Sequence, residues 1–230
     1  MSFLLSDSLM CADLLHLGDQ LEVLDQAMDW HHADVMDGHF CPNLTLSPDL
    51  VAAVCAHTQK PVDVHLMVER PGDWLERFAQ AGAAMLTVHA ETIGANAFRT
   101  FREIRRLGCK VGVAIHPATP LETIRYYMDE LDCLTLMTVD IGYAGQPMVP
   151  QVLDKLWEVA QIKRERGLPM ILQVDGCCNR STYARYRDAG AEMLVMGSGL
   201  FGLDPDLRRA LPLMRQAQQE ALSAVGEGIA

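Results

Sequence analysis

The amino-acid sequence predicts an α/β fold of eight strands and eight helices in alternation, the (β/α)8 TIM barrel, and three observations lead to it. Short apolar runs alternate with helical patterns along the chain. No linker rich in proline, glycine or serine interrupts them, so we expect a single domain over residues 1–230. The chain of 230 residues also approaches the roughly 250 residues that are typical of this barrel.

Each predicted strand is a short run rich in apolar and β-branched residues. Strands that alternate with helices pair in parallel, because each helix returns the chain to the same end of the sheet. An open doubly wound sheet is the alternative, since the number of elements does not prove closure. The runs are LLS near residue 5, HADVM at 32–36, PVDVHLMV at 61–68, MLTVH at 85–89, KVGVAI at 110–115, CLTLMTV at 133–139, MILQV at 170–174 and MLVM at 193–196.

The helices are predicted from apolar residues spaced by three and four and from residues that favour helix starts. The first apolar series begins at Leu14. Ser47 is a predicted N-cap, because Pro48 follows it at the first helical position. Pro71 and Pro120 are expected to open two further helices. The predicted helices cover residues 14–28, 48 to about 57, a segment from 71, 94–107, a segment from 120, 150–166, 181–189 and part of 204–224.

Composition narrows the classes of function. The net charge of −11 disfavours a nucleic-acid partner, which requires a basic surface, although a small anion can still bind backbone N–H groups. No apolar run reaches the ~18 residues of a membrane span, and the N-terminus lacks the features of a signal peptide. Seven cysteines without a C-x-x-C pair indicate neither a disulfide framework nor a cysteine zinc site, so we expect a cytoplasmic protein.

Polar residues occupy strand positions that face the interior of the predicted barrel. Side chains alternate along a strand, so His32, Asp34 and Met36 share one face, and Asp63 and His65 share one face of the next strand. Interior positions of this barrel are ordinarily Val, Ile or Leu. Because an unpaired buried carboxylate is strongly destabilising, these side chains require a partner, and a divalent cation is the simplest one.

Asp175 ends the seventh predicted strand and contributes to the same site, since active sites of such barrels lie at the C-terminal ends of the strands. Mixed nitrogen and oxygen ligands suit Zn²⁺, Fe²⁺, Mn²⁺ or Co²⁺, and the sequence does not choose among them. His31 faces the opposite way, and we expect it, His89 and His116 to be structural. The predicted ligands of one divalent metal ion are His32, Asp34, His65 and Asp175.

Glycine-containing loops follow the sixth, seventh and eighth predicted strands, with the sequences IGYAGQP, DGC and MGSGLF. A phosphate site formed by the loops of the late strands is a recurring feature of this barrel. Glycines let backbone N–H groups approach the anion closely. The glycines expected at a phosphate are Gly142, Gly145, Gly176, Gly197 and Gly199.

A metal ion, two carboxylates and a phosphate site together suggest proton abstraction beside a carbonyl group. Asp34 and Asp175 come from opposite sides of the barrel, so one can remove a proton from a carbon and the other can return one to the opposite face, which epimerises that carbon. No lysine is placed to form a Schiff base, which disfavours an aldolase of that type. A metal-dependent aldolase and a non-catalytic barrel that binds a sugar phosphate remain alternatives.

Six segments together resemble the ribulose-phosphate 3-epimerase family: S-D-S-L-M (6–10), H-A-D-V-M-D-G (32–38), H-L-M-V (65–68), M-T-V-D-I-G-Y-A-G-Q-P (137–147), V-D-G (174–176) and G-S-G-L-F (197–201). The resemblance implies a (β/α)8 barrel that uses one divalent metal ion to invert C3 of a ketose phosphate. It also implies that Asp34 and Asp175 are the proton acceptor and donor, with their roles exchanged for the other epimer. The implied metal ligands are His32, Asp34, His65 and Asp175.

The resemblance further implies contacts with the substrate. Ser8 and His65 would touch it, and Met36, Met67 and Met137 would form an apolar cap that keeps water out. A phosphosugar is the expected partner of a homo-oligomer, without nucleic acid or membrane. The phosphate end is expected against Gly142, Tyr143, Ala144, Gly145, Gly176, Cys177, Gly197, Ser198 and Gly199.

Within the family, N-L-T-L-S-P (43–48), V-H-A-E-T (88–92) and V-D-G-x-C-N (174–179) look most like the D-allulose-6-phosphate 3-epimerase branch. This implies a six-carbon substrate, with D-ribulose 5-phosphate as the alternative. Asp7 and Ile141 stand where proline is common in the family, and Cys177 stands where glycine or serine is familiar. The loss of two prolines adds loop freedom, and Asp7 is expected to add negative charge near the site.

Overall fold

The eight strands close into one parallel barrel. The computed structural model describes residues 3–223, so residues 1–2 and 224–230 of the predicted domain lie outside the described range. Each strand pairs in parallel with the next, and β8 returns to pair with β1, which confirms the predicted (β/α)8 barrel and excludes an open sheet. The strands are β1 (Leu4–Ser8), β2 (Trp30–Met36), β3 (Val62–Met67), β4 (Met85–His89), β5 (Lys110–Ile115), β6 (Cys133–Met137), β7 (Ile171–Asp175) and β8 (Met193–Met196).

The helices surround the barrel. The predicted start of the second helix is confirmed, because the Ser47 side chain accepts a hydrogen bond from the Leu50 N–H and Pro48 occupies the first turn. The last helix ends at Ser223, and residue 224 of its predicted range is not described. The helices are α1 (Leu17–Leu24), α2 (Pro48–His57), α3 (Leu75–Gln80), α4 (Ala90–Ile93), α5 (Ala97–Arg106), α6 (Val152–Arg166), α7 (Tyr183–Ala189), α8 (Ser198–Phe201) and α9 (Leu207–Ser223).

The prediction that strands and α-helices alternate strictly is wrong at one point. The segment between β5 and β6 is described in full. It forms two 3₁₀ turns, Leu121–Thr123 and Met128–Glu130, in place of the helix predicted from Pro120. The buried residues Leu121, Ile124 and Tyr127 recur every three positions, which is the period of a 3₁₀ turn. The short helices α4 and α8 were not predicted.

Two α-helices also begin later in the structure than the sequence predicted. The first helix begins at Leu17, whereas Leu14 lies in the preceding loop with half of its surface exposed. Pro71 begins a 3₁₀ turn that precedes α3. Proline suits either start, because its fixed φ is compatible with both kinds of helix. Among residues 3–223, no helix is long and apolar enough to span a membrane.

The barrel interior consists of layers of four side chains from alternate strands. The layer nearest the N-terminal ends of the strands is apolar and contains Trp30, Met85, Cys133 and Met193. Above it, the strand register places His32 and Thr87 in one layer, and Ser8, His65 and Asp175 in a layer nearer the C-terminal ends. The interior therefore becomes polar towards the C-terminal ends of the strands.

Candidate metal centre and active site

The four predicted metal ligands converge at the C-terminal ends of β2, β3 and β7. The His32 Nε2 and His65 Nδ1 atoms lie 3.2 Å apart. Asp34 Oδ1 lies 3.4 Å from each of these nitrogens, and Asp175 Oδ2 lies 3.6 Å from each. One donor atom from each of the four residues thus lies within 4.8 Å of every other.

These distances fit a divalent metal ion. Nitrogen and carboxylate ligands lie about 2.0–2.2 Å from such an ion, so two ligands of a tetrahedral site are separated by about 3.3–3.6 Å. Five of the separations among the donor atoms are between 3.2 and 3.6 Å. The four residues can therefore hold one divalent ion, and the donor types agree with the predicted cofactor.

His32 is oriented by a second carboxylate in the barrel interior. Its Nδ1 lies 3.0 Å from Asp63 Oδ2, and the Thr87 hydroxyl donates to Asp63 Oδ1 at 2.6 Å. The carboxylate accepts from Nδ1–H, which leaves the Nε2 lone pair free to face the metal centre. Gly112 makes room for this arrangement, because a Cβ atom there would lie 2.1 Å from the Thr87 hydroxyl oxygen.

His65 is backed by the imidazole of His89, which was expected to be structural. The Nε2 atoms of His65 and His89 lie 2.9 Å apart, and His89 Nδ1 lies 3.1 Å from Glu91 Oε2. Burial lowers the pKa of His89 to about 4. Burial alone would raise the pKa of Glu91, but the hydrogen bonds from His89, Thr119 and the His116 N–H outweigh it and lower that pKa to about 2.

The charges within the centre favour bound positive charge. Burial would raise the pKa of the Asp34 carboxyl, but His32 and His65 hold it well below its usual range. Burial would lower the pKa of His32, but Asp34 and Asp63 raise it well above the ordinary value. The Ser8 hydroxyl donates to Asp34 Oδ2 at 2.5 Å, which also stabilises the ionised carboxylate. A metal ion and protons therefore compete for the nitrogens of His32 and His65, whose carboxylate neighbours raise the pKa of both imidazoles.

A cavity opens beside the centre, and every predicted substrate-contact residue except His65 lines it; His65 is fully buried behind the carboxylates. Met36 and Met67 pack with Cys41, Met10 and Ile141 into an apolar cluster at its wall. The predicted residues that line it are Ser8, Met36, Met67, Met137, Gly142, Tyr143, Ala144, Gly145, Gly176, Cys177, Gly197, Ser198 and Gly199.

The loop after β6 covers one side of the cavity and is joined to the loop after β2. The Asn43 side chain donates to the Gly142 carbonyl at 2.8 Å, and the Tyr143 hydroxyl donates to the Pro42 carbonyl at 2.6 Å. Gly142 has a φ of +122°, and a Cβ atom there would lie 3.2 Å from Pro42. Glycine is therefore required at this position for both its backbone conformation and its close contact.

Sequence reasoning missed several residues of the site. Asp63, placed on the inward face by strand alternation but given no role, contacts His32, and the unassigned pair His89 and Glu91 extends from His65. Cys177, which was noted as a departure, has a left-handed φ of +50°, which glycine adopts without strain. The cavity-lining residues without an assigned contact are Met10, Cys11, Val139, Asp140, Ile141, Gln146, Cys178 and Val195.

The expectation that Asp7 adds charge to the site is wrong. Asp7 alternates with Ser6 and Ser8 on β1, so its side chain points away from the barrel interior. Its Oδ1 lies 2.7 Å from His31 Nδ1, and His31 Nε2 lies 2.7 Å from Asp25 Oδ1. Asp7 and His31 are fully buried on the outer face of the barrel. His31 is therefore structural, as predicted.

The fold and this site define the class of (β/α)8 barrels with a centre of two histidines and two aspartates at the C-terminal ends of the strands. Residues 4–201 match the model of the ribulose-phosphate 3 epimerase family. A ribulose-phosphate 3-epimerase from Bacillus subtilis (strain 168) is 40% identical over 210 residues, which cover 90% of this chain and 96% of that protein. The chain belongs to the ribulose-phosphate 3-epimerase family.

Other relatives agree with this membership. A ribulose-phosphate 3-epimerase from Escherichia coli (strain K12) is 39% identical over 215 residues, which cover 93% of this chain and 95% of that protein. Among solved structures, 3-hexulose-6-phosphate synthase from Salmonella typhimurium superposes with a TM-score of 0.67 over 94% of this chain and 99% of its own, at 16% identity. At that identity the structural likeness supports the barrel fold alone.

Proposed function

We propose that this protein is a metal-dependent epimerase that inverts C3 of a ketose phosphate by acid and base catalysis with two carboxylates. The observation that carries the proposal is the convergence of Asp34 and Asp175, from β2 and β7, on one centre that also contains His32 and His65. Membership of an epimerase family supports the same reaction. The donor set suits a divalent Zn, Fe, Mn or Co ion.

Asp34 is the base for one epimer. It is proposed to accept the C3 proton, while Asp175 returns a proton to the other face of the carbon. The reverse reaction exchanges these roles. Asp175 has the more exposed side chain, at 14% against 4% for Asp34, so it lies closer to the water of the cavity.

One divalent ion held by His32, Asp34, His65 and Asp175 would supply a Lewis acid at the carbonyl group beside C3. The chain's own residues around that position orient the carboxylate and exclude water. Ser8 fixes the orientation of the Asp34 carboxylate through its hydrogen bond. Met36, Met67 and Met137 are buried at the cavity wall and would keep water from the carbanion-like intermediate.

The phosphate end of the substrate is proposed to bind at the loops after β6, β7 and β8. Backbone N–H groups can approach an anion closely at glycines, and these loops contribute five of them to the cavity wall. The proposed phosphate contacts are Gly142, Tyr143, Ala144, Gly145, Gly176, Cys177, Gly197, Ser198 and Gly199.

The proposed substrate is D-ribulose 5-phosphate, because the curated relatives cited above carry the name ribulose-phosphate 3-epimerase. D-allulose 6-phosphate, the six-carbon substrate favoured by the segment resemblance, stays a prediction. A homo-oligomer also stays a prediction.

The test is turnover of both ketose phosphates in deuterium oxide, with metal content measured on the same sample. We expect deuterium at C3 with inversion, and a decrease of at least about 100-fold in rate for Asp34→Asn, because a general base contributes about 10²–10⁴-fold. Asp188→Asn changes a surface carboxylate on α7 and should leave the rate unchanged. A metal-loaded protein that leaves C3 protonated in both substrates, or that releases triose products, would contradict the proposal.

A further inference from the structure

A chain of hydrogen bonds runs outward from His65, beyond the four candidate ligands. The His65 and His89 rings are inclined by only 19°, with centroids 5.0 Å apart, and their Nε2 atoms lie 2.9 Å apart. The rings therefore meet edge to edge through one N–H···N hydrogen bond. On its far side, His89 Nδ1 lies 3.1 Å from Glu91 Oε2.

The direction of hydrogen-bond donation along this chain follows from Glu91, its last member. Glu91 Oε1 accepts from the His116 N–H at 2.8 Å and from the Thr119 hydroxyl, so the carboxylate is an acceptor on both oxygens. His89 Nδ1 must then carry a hydrogen, and its neutral ring has a bare Nε2. Only His65 can donate between the two rings. Its hydrogen is therefore on Nε2, and its Nδ1 lone pair faces the metal centre.

A comparison with His32 shows why a bridging residue is needed between His65 and a carboxylate. Asp63 reaches His32 directly and fixes its Nδ1–H tautomer, so His32 offers Nε2 to the centre. His65 offers the other nitrogen, Nδ1, and within residues 3–223 its Nε2 lies against His89 Nε2 and not against a carboxylate. His89 bridges that gap to Glu91. Each candidate ligand thus presents an unprotonated nitrogen to the centre. His32 is fixed by a carboxylate directly, and His65 is fixed through a bridging imidazole.

Glu91 is held in place from a separate part of the barrel. Its partners His116 and Thr119 lie in the loop after β5. The Lys155 ammonium group from α6 donates to the carbonyls of Pro117 and Thr119, at 2.7 and 2.6 Å, and so fixes this loop. The chain of hydrogen bonds therefore ends on a carboxylate that cannot easily move.

We propose that His89 and Glu91 are positioning residues that hold His65 as its Nε2–H tautomer and direct its Nδ1 at the divalent metal ion. The inference rests on the proposed function in one respect, since it takes the four-residue centre to be a metal site. Loss of a supporting partner of a histidine ligand typically weakens metal affinity about 10–100-fold. Neither residue needs to touch the sugar phosphate.

The test measures zinc affinity by competition with a chromophoric chelator, independently of turnover. Glu91→Gln replaces one carboxylate oxygen with an NH₂ group, and we expect a zinc dissociation constant about 10–100-fold higher. The matched control is Asp13→Asn, which alters a carboxylate paired with His16 Nδ1 at the surface. That variant should bind zinc as the parent protein does.

Two variants of His89 separate positioning from packing. His89→Gln keeps an acceptor near His65 Nε2 and should retain more zinc affinity than His89→Phe, which removes it. In the zinc-loaded parent, ¹⁵N-histidine spectra should show the His65 proton on Nε2. Parent-like zinc affinity in Glu91→Gln, or a His65 proton on Nδ1, would overturn the inference, and Glu91→Gln decides it even if His89→Phe fails to fold.

The zinc-affinity measurement and the turnover assay can fail independently of each other. A protein that turns over neither ketose phosphate, but whose zinc affinity falls in Glu91→Gln, would contradict the proposed reaction and support the positioning role. A protein that epimerises its substrate and whose zinc affinity is indifferent to Glu91 would do the opposite.

Discussion

At the scale of single residues, His31 and His32 are neighbours with unrelated environments. His31 points to the outer face of the barrel, between the carboxylates of Asp7 and Asp25. His32 points inward, to Asp63 and the candidate metal centre. Strand alternation alone accounts for the difference. The two residues should therefore respond to substitution in opposite ways.

Replacement of His31 by Phe should destabilise the protein by about 3 kcal/mol, because it leaves the fully buried Asp7 carboxylate without its partner. Metal affinity should change little. His32→Gln should instead weaken metal binding strongly and affect the unfolding free energy less. Urea unfolding of the metal-free proteins and zinc competition provide the two measurements. Loss of metal affinity in His31→Phe without loss of stability would show that the assignment of the two faces is wrong.

The cluster of four candidate metal ligands could be predicted from the sequence because a histidine or aspartate at an inward strand position conflicts with the apolar interior of an ordinary barrel. The partners of those ligands could not. Whether His89 is an isolated structural residue or supports His65 depends on the register between β3 and β4 and on a ring-to-ring distance. The sequence pattern of one strand does not contain either quantity.

At the scale of elements, the loop after β6 is joined to the loop after β2 by two hydrogen bonds. Tyr143→Phe keeps the ring that lines the cavity and removes the bond to the Pro42 carbonyl. We expect KM to rise about 2- to 10-fold, the effect of one hydrogen bond, with a smaller change in kcat. Tyr126→Phe, at an exposed tyrosine, is the matched control for steady-state kinetics. An unchanged KM in Tyr143→Phe would show that this bond does not hold the loop for substrate.

The start of α2 could be predicted because the N-cap Ser47 and Pro48 act locally. The segment after β5 could not be predicted in the same way. Its apolar residues satisfy both a three-residue and a mixed three- and four-residue spacing, and the sequence does not separate them. Packing of Ile124 and Tyr127 against the barrel selects the tighter turns.

At the scale of the whole molecule, the barrel combines an apolar layer near the N-terminal ends of its strands with polar layers nearer the C-terminal ends. The first layer contributes to the core, and the others present the candidate catalytic carboxylates to the cavity. Closure of the sheet makes this possible, since it brings β2 and β7 to opposite sides of one interior. Counting elements predicted such a barrel, but only the register establishes its closure.

Hydrogen exchange at C3 by variants that retain one carboxylate tests the two-base account most directly. In deuterium oxide, metal-loaded Asp175→Asn and Asp34→Asn should each exchange the C3 hydrogen of a different epimer and return that epimer without inversion, because a single base serves one face of the carbon. Metal content equal to that of the parent protein is the required control. If either variant still interconverts the two epimers at the parent rate, or if both exchange the same epimer, the two carboxylates do not act on opposite faces and the account is contradicted.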